Sequence, residues 1–224
     1  MITATTDMVI AGIPFHELAS EALLDIRGPD ESVYGDNYFE NYKQRAATDM
    51  GREIHRFRKA YVECLLPEGR ILDYGCGYGE LVVRDRLDTA PNAEPRWWGY
   101  DLMDKSMSRL RERADREPRI SEYAAVCLFD VLEHIADPAA WLAPAKAGTR
   151  LFTTIPCWPT RHDGFQGIKQ WRHWKPGEHV LYVTDKGLIA FMKSIGWQLL
   201  DINIYEQYLG REDVRSFCFG KLPT

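Results

Sequence analysis

Cysteine is sparse and scattered: Cys64, Cys76, Cys127, Cys157 and Cys218 include no C-x-x-C pair. That spacing excludes a recognisable zinc site and gives no basis for a disulfide framework, so no metal is expected. No apolar run approaches the roughly 20 residues that cross a bilayer. The N-terminus also lacks a basic stretch leading into an apolar one, so neither a membrane span nor a signal peptide is expected and the chain reads as cytoplasmic. Positive charge is short as well, with 28 Lys and Arg against 33 Asp and Glu for a net charge of −5. This argues against nucleic-acid binding over the whole surface, while a local basic groove remains compatible with it. What is present is an ordinary globular composition, 45% hydrophobic and 27% charged over 224 residues. That is enough for one domain with appendages and a sizeable core.

The most informative run is Ile71-Leu72-Asp73-Tyr74-Gly75-Cys76-Gly77-Tyr78-Gly79, an apolar strand leading into alternating glycines. Glycine suits a turn at positive φ, or a main chain against which a ligand lies, and a helix N-terminus after it presents N–H groups. The spacing is not the G-x-G-x-x-G of dinucleotide sites. Asp73 would repel a pyrophosphate but suits a cofactor carrying an ammonium and a sulfonium, which describes S-adenosylmethionine. A second run, Trp97-Trp98-Gly99-Tyr100-Asp101-Leu102, ends in an acid where a second strand would end. There Asp101 can accept two ribose hydroxyls, or else cap the next helix. A third, Ala125 to Phe129 followed by Asp130-Val131-Leu132-Glu133-His134, is a buried strand delivering three ionisable side chains to the carboxyl edge of the sheet, where ligands bind in open α/β sheets.

These runs resemble the class I S-adenosylmethionine-dependent methyltransferases of the small-molecule type, the Val131-Leu132-Glu133-His134 phrase being similar to their fourth-strand motif. The resemblance spans about Tyr34 to Phe219. It implies an α/β Rossmann-like three-layer sandwich. Its mostly parallel sheet has seven strands, or six if the third is very short, with an antiparallel C-terminal hairpin formed by Trp197–Tyr205 and Val214–Phe219. It also implies cofactor contacts by Asp73, Gly75, Cys76, Gly77, Asp101, Leu102, Phe129 and Asp130, with Cys76 packing rather than reacting. The family's Gly-Asp-Ala-like turn after a third strand is missing between Asp101 and the fourth-strand motif, where only one helix, about Asp104 to Ala114, fits. The adenine contacts are left open for that reason.

Residues 1–66 read as an N-terminal arm and lid helices, and residues 67–224 as the methyltransferase domain. The arm carries a short helical pattern from about Phe15 to Ile26 and a breaker at Arg27-Gly28-Pro29-Asp30. Tyr34, Tyr38 and Tyr42 then fall on one face if helical, as core or as a lid. An insertion at about 156–182 is long, basic and rich in Trp, and a loop of that length is usually functional. It reads as the acceptor pocket, with Trp171, Arg172, Arg161 and Tyr38 as substrate-binding candidates. The cations Arg161, Lys169, Arg172 and Lys175 against Asp163 alone favour a small polar, anionic acceptor such as a sugar, nucleotide-linked or carboxylate metabolite. His134 is the first candidate for a catalytic base and His179 the second. Two rivals stay open: a methyltransferase acting on a nucleotide or nucleic acid, and a non-catalytic cofactor-binding relative serving a protein partner. Nothing in the sequence sets the oligomeric state.

Overall fold

The computed structural model of the chain describes residues 7–66, 68–88, 90, 93–102, 117–159, 165 and 167–223. The helix expected over about 104–114 lies outside these residues, as do Arg161 and Asp163. Three strands come first, β1 (Asp7–Ile10), β2 (Ile13–Ala19) and β3 (Ala22–Asp25). Helices α1 (Asp36–Ala46) and α2 (Asp49–Leu65) follow. Then come β4 (Ile71–Tyr74), α3 (Glu80–Asp88), β5 (Trp97–Tyr100), β6 (Ala125–Phe129), β7 (Arg150–Pro156) and β8 (Leu181–Val183). A helix at Asp185–Ser194 precedes β9 (Trp197–Asn203), a short helix at Tyr205–Tyr208, and β10 (Val214–Lys221).

The main sheet runs β5-β4-β6-β7-β10-β9. The first four strands are parallel and β10 is antiparallel to both its neighbours. Among the described residues this is the Rossmann-like sheet with its C-terminal hairpin, in six strands; residues 117–124 hold only a single turn of 3-10 helix at Ile120–Glu122. β6 is apolar and buried at all five positions because both its faces are covered. Val126 and Leu128 face the core shared with Leu188, Phe191 and Met192. Ala125, Cys127 and Phe129 face Val62, Leu81 and Val82 of α2 and α3. That alternation places helices on both sides, giving three layers.

The N-terminal arm corrects one sequence expectation. The Phe15–Ile26 segment is a β-hairpin, not a helix: β2 pairs antiparallel with β3 around Glu21, whose φ is +63°. Leu and Ala there favour a helix locally, but β3 also pairs with β8 from far along the chain, Leu23 opposite Tyr182. Non-local pairing overrides the local preference. The resulting sheet, β1-β2-β3-β8, buries Ile13, Phe15 and Leu23 against Trp158, Ile168, Trp171 and Tyr182 of the insertion. Arm and insertion thus share one small core at the carboxyl edge of the main sheet, where an isolated bridge pairs Cys157 with Val183.

Candidate active site

After β4 the chain turns through Gly75, Gly77 and Gly79 at φ of +74°, +54° and +73°, a conformation that side chains with a Cβ resist. The space around the turn is closed too. A Cβ at Gly75 would collide with a Val131 methyl, and one at Gly77 would lie 2.8 Å from Cε1 of Tyr42. Tyr42 of α1 therefore lies over the glycine turn. The N–H of Gly77 donates to Oδ2 of Asp101 (2.8 Å), and the N–H groups of Gly75 and Cys76 donate to the Tyr100 carbonyl. The acid at the end of β5 is thereby tied to the turn after β4. Leu102, beside it, is exposed.

Asp73 is 5% exposed. Among the described residues its carboxylate makes no hydrogen bond. Burial pushes its pKa up to about 7, with Arg58 opposing and the charge of Asp101 adding to the rise. It shares a narrow cleft with Tyr42, His55, Arg58, Cys76 and Phe129. A buried acid with no bond of its own, beside a turn closed to side chains, fits a cationic ligand head. Cys76 is buried, and burial drives its thiol pKa far above the ordinary value, which makes it a packing group.

The turn after β6 holds two differently treated acids. Asp130, at φ +60°, sits in a sparsely allowed region that Asp tolerates better than most. Two guanidiniums fix it there, Arg58 Nη2 on Oδ2 and Arg211 Nη2 on Oδ1, both at 2.8 Å. Arg58 also donates to both oxygens of Glu206 (2.7 and 3.0 Å) and to Thr154, while Arg211 reaches Glu206 as well. Burial alone would raise the Asp130 pKa, but Arg211 and Arg58 outweigh it and hold the carboxyl far below the usual range. Asp130, a cofactor candidate in the sequence, is therefore the hub of a charge-balanced square. Arg58, Glu206 and Arg211 were not singled out from the sequence. The readable signal was Arg58 on the buried stripe of α2, Ile54, His55, Arg58 and Val62, where a charge needs a partner.

Glu133 is 2% exposed, and its Oε2 has no hydrogen-bond partner. Burial, and then the charge of Asp130, push its pKa up to about 8. His134 follows it. Its Nδ1 lies 2.7 Å from the Glu178 carbonyl and 2.8 Å from the Tyr34 hydroxyl. A carbonyl only accepts, so Nδ1 carries the proton and Nε2 the lone pair. His179 packs edge-on to His134, with ring centroids 4.9 Å apart. Its Nδ1 donates to the His173 carbonyl at 3.1 Å, which sets the same tautomer. Burial lowers both imidazole pKa values, that of His179 to about 3.

The structure thus brings the two candidate bases together, and one member of the tyrosine series joins them. Tyr34 precedes α1 and bonds His134, whereas Tyr42 covers the glycine turn, so these two do not form a single core stripe. The Tyr38 side chain lies outside the described residues. Trp171 and Arg172 point elsewhere. Trp171 is 8% exposed in the small core, edge-on to Trp158, with Nε1 donating to Asp213 (2.9 Å). Arg172 pairs with Glu212 on the surface, and Lys175 with Glu178. Phe129 lines the cleft beneath the Arg58 guanidinium.

A family model described as a methyltransferase domain matches residues 42–202. The chain belongs to the methyltransferase domain family. Its cofactor is S-adenosylmethionine, and it is a methyltransferase dependent on it. The fold is similar to that of the magnesium protoporphyrin IX methyltransferase of Synechocystis PCC 6803 with bound S-adenosylhomocysteine, at 13% identity and a TM-score of 0.55 over 85% of this chain and 97% of that one. It is also similar to the 1,6-didemethyltoxoflavin-N1-methyltransferase of Burkholderia thailandensis, at 12% identity and 0.54 over 98% and 99%. The [4+2]-cyclase SpnF is a third such neighbour, at 14% identity and 0.55 over 80% and 84%. At these identities the likeness shows the fold alone, and a cyclase among the neighbours means that the fold does not fix the chemistry. No curated protein matches the chain. No helix among the described residues is long and apolar enough to cross a membrane.

Proposed function

We propose that this methyltransferase acts on an oxygen or nitrogen of a small polar acceptor, bound between the glycine turn and the insertion. One observation carries the reading. His134 is held through Nδ1 by the Glu178 carbonyl and the Tyr34 hydroxyl, with its Nε2 lone pair available at the carboxyl edge of β6. S-adenosylmethionine supplies a methyl already activated on a sulfonium. The chain's own work is then to position, to exclude water and to take a proton. Asp73 pairs with the ammonium, and Asp101 accepts the ribose hydroxyls. The glycine turn and Cys76 give the main chain against which the cofactor lies, while Leu102 and Phe129 provide apolar contact. Tyr42 and Tyr34 close the arm over the two ends. The proton of an acceptor hydroxyl passes to His134 Nε2; His179, with its pKa near 3, is the poorer base.

Of the four cations behind the expected anionic acceptor, Arg172 and Lys175 come with carboxylates of their own, which weakens the expectation at those two positions. Trp171 acts from behind: it touches His173, whose carbonyl orients His179.

The test is calorimetry with S-adenosylhomocysteine together with single-turnover transfer. Asp101→Ala removes charge-assisted bonds worth about 1.5 to 3 kcal/mol each, so affinity falls at least about tenfold with the fold intact. His134→Ala keeps that affinity and loses roughly 10² to 10⁴ in turnover. Unchanged affinity in the first variant removes the ribose assignment, and unchanged turnover in the second removes the base.

A further inference from the structure

Three electron-pair donors converge beside the acceptor site with nothing positive between them. The His134 and His179 nitrogens and a Glu133 carboxylate oxygen lie within 4.8 Å of one another. Each imidazole spends its only N–H, at Nδ1, on a backbone carbonyl, of Glu178 and His173 respectively. Each Nε2 therefore keeps a lone pair free for a ligand, that of His179 lying 3.9 Å from Oε1 of Glu178. Glu133 is buried, and its Oε2 is an orphan acceptor. Burying a polar atom without a partner costs on the order of 1 to 3 kcal/mol, and more for a charged one. A cation held by all three donors would offset that cost.

We propose that Glu133, His134 and His179 bind a divalent first-row transition-metal ion that activates the methyl acceptor. The donor set of two imidazoles and one carboxylate is that of metal sites which keep open positions for water or substrate. The Nδ1–H to carbonyl bonds are the outer contacts that orient metal-ligating histidines. With bonds of about 2.0 to 2.2 Å, a tetrahedral ion sets its donor atoms about 3.4 Å apart, so side-chain rotation closes the present span. Asp130, three residues before Glu133, is no ligand, because both its oxygens are held by guanidiniums.

The proposal rests on the methyl-transfer reading and deepens it, the ion taking over from His134 as the group that activates the acceptor. An acceptor hydroxyl bound at an open position loses its proton to solvent. Its oxygen then forms the new O–C bond as the C–S bond breaks, and the sulfur keeps the electron pair as a thioether. This favours an acceptor with vicinal oxygens, such as a catechol or a sugar diol, which can chelate.

The test is a titration of chelator-treated whole protein with Co²⁺, followed by its visible absorption and by X-ray absorption at the cobalt edge. The expected result is one equivalent bound, with imidazole scattering from two rings. Binding should be about tenfold weaker or more in Glu133→Gln and in His179→Ala. The parent's imidazole count needs no variant, so misfolding of either variant leaves the test standing. No binding by the parent, binding without imidazole, or equal affinity in folded variants overturns the proposal. S-adenosylhomocysteine affinity, measured in parallel on metal-free protein, is expected to be unchanged. A parent that binds S-adenosylhomocysteine and transfers methyl but takes no Co²⁺ refutes the ion and leaves the methyltransferase reading intact; a parent that takes Co²⁺ and transfers no methyl refutes the activating role.

Discussion

Asp130 and Glu133 leave the same turn after β6 and meet opposite surroundings. Asp130 receives two guanidiniums, and its square with Arg58, Glu206 and Arg211 carries two positive and two negative charges. Glu133 receives none, lies deeper, and keeps one oxygen without a partner. The square balances its own charges, and it ties α2 to the β6 turn and to the segment before β10. The Glu133 cluster keeps an acceptor without a partner, and it is the one proposed to take a cation. Within one turn, electrostatic satisfaction separates an acid tied into the fold from one left for a ligand in the proposed reading.

The largest predicted effect follows from that contrast. Arg58→Met leaves Asp130 and Glu206 with Arg211 as their one remaining guanidinium, and removing one member of a buried ion pair costs about 3 to 5 kcal/mol. Denaturant unfolding should show that loss. Glu133→Gln keeps the shape and an oxygen that can accept from the Glu133 backbone N–H, so in metal-free protein stability changes by less than about 1 kcal/mol. If both substitutions cost the same, the two acids are alike and the division fails.

The cofactor half of the site was legible because it is local. The glycine turn and Asp101 are each set within a few residues, and the alternating β6 pattern gave both faces of the sheet. In the proposed acceptor half the residues His134 and His179 were legible but their meeting was not, because it is assembled from distant pieces. Tyr34 comes from the arm, His134 from the β6 turn, and His179 from the end of the insertion. The insertion returns to the β6 turn through Val180, whose N–H donates to the Glu133 carbonyl, and its end is held by the pairing of β3 with β8. The same pairing turned a locally helix-favouring arm into strands. It also put Trp171 into a core where the composition of the insertion suggested an open binding face. Arg58 was hidden for the converse reason: its partners lie in the β6 turn and beyond β9, and a single buried Arg on a helix does not name them.

The next effect separates the cofactor half by pH. The Asp73 pKa in the folded chain, about 7, lies above its ordinary value near 3.9. Folded protein therefore holds this proton more tightly than unfolded protein. Its contribution to stability is complete below about pH 4 and is lost as pH rises through 7. Asp73→Asn removes the titration, so at pH 8 the ligand-free variant should melt several degrees above the parent. A cofactor ammonium favours the ionised acid, so parent affinity for S-adenosylhomocysteine should rise up to about tenfold per pH unit between pH 5 and 7. The variant should bind weakly at every pH. A flat profile in the parent, or full affinity in the variant, removes Asp73 from the ammonium site.

The smallest effect lies on the insertion and decides what kind of acceptor it serves. Arg172 meets Glu212 at 2.9 Å, but the two side chains are 56% and 66% exposed. An exposed pair of this kind contributes about 0.2 to 1 kcal/mol, and salt weakens it further. Arg172→Ala should therefore lower stability by less than about 1 kcal/mol. If the pair is only a surface contact, the same variant leaves the acceptor KM within about twofold and leaves turnover unchanged. If an anionic acceptor displaces Glu212 and takes the guanidinium in a bidentate contact, acceptor KM rises about tenfold or more while S-adenosylhomocysteine affinity stays put, and added salt in the parent has the same selective effect. Once an acceptor is in hand, that ratio separates an insertion that reads charge from one that holds His179 in place through the core behind it.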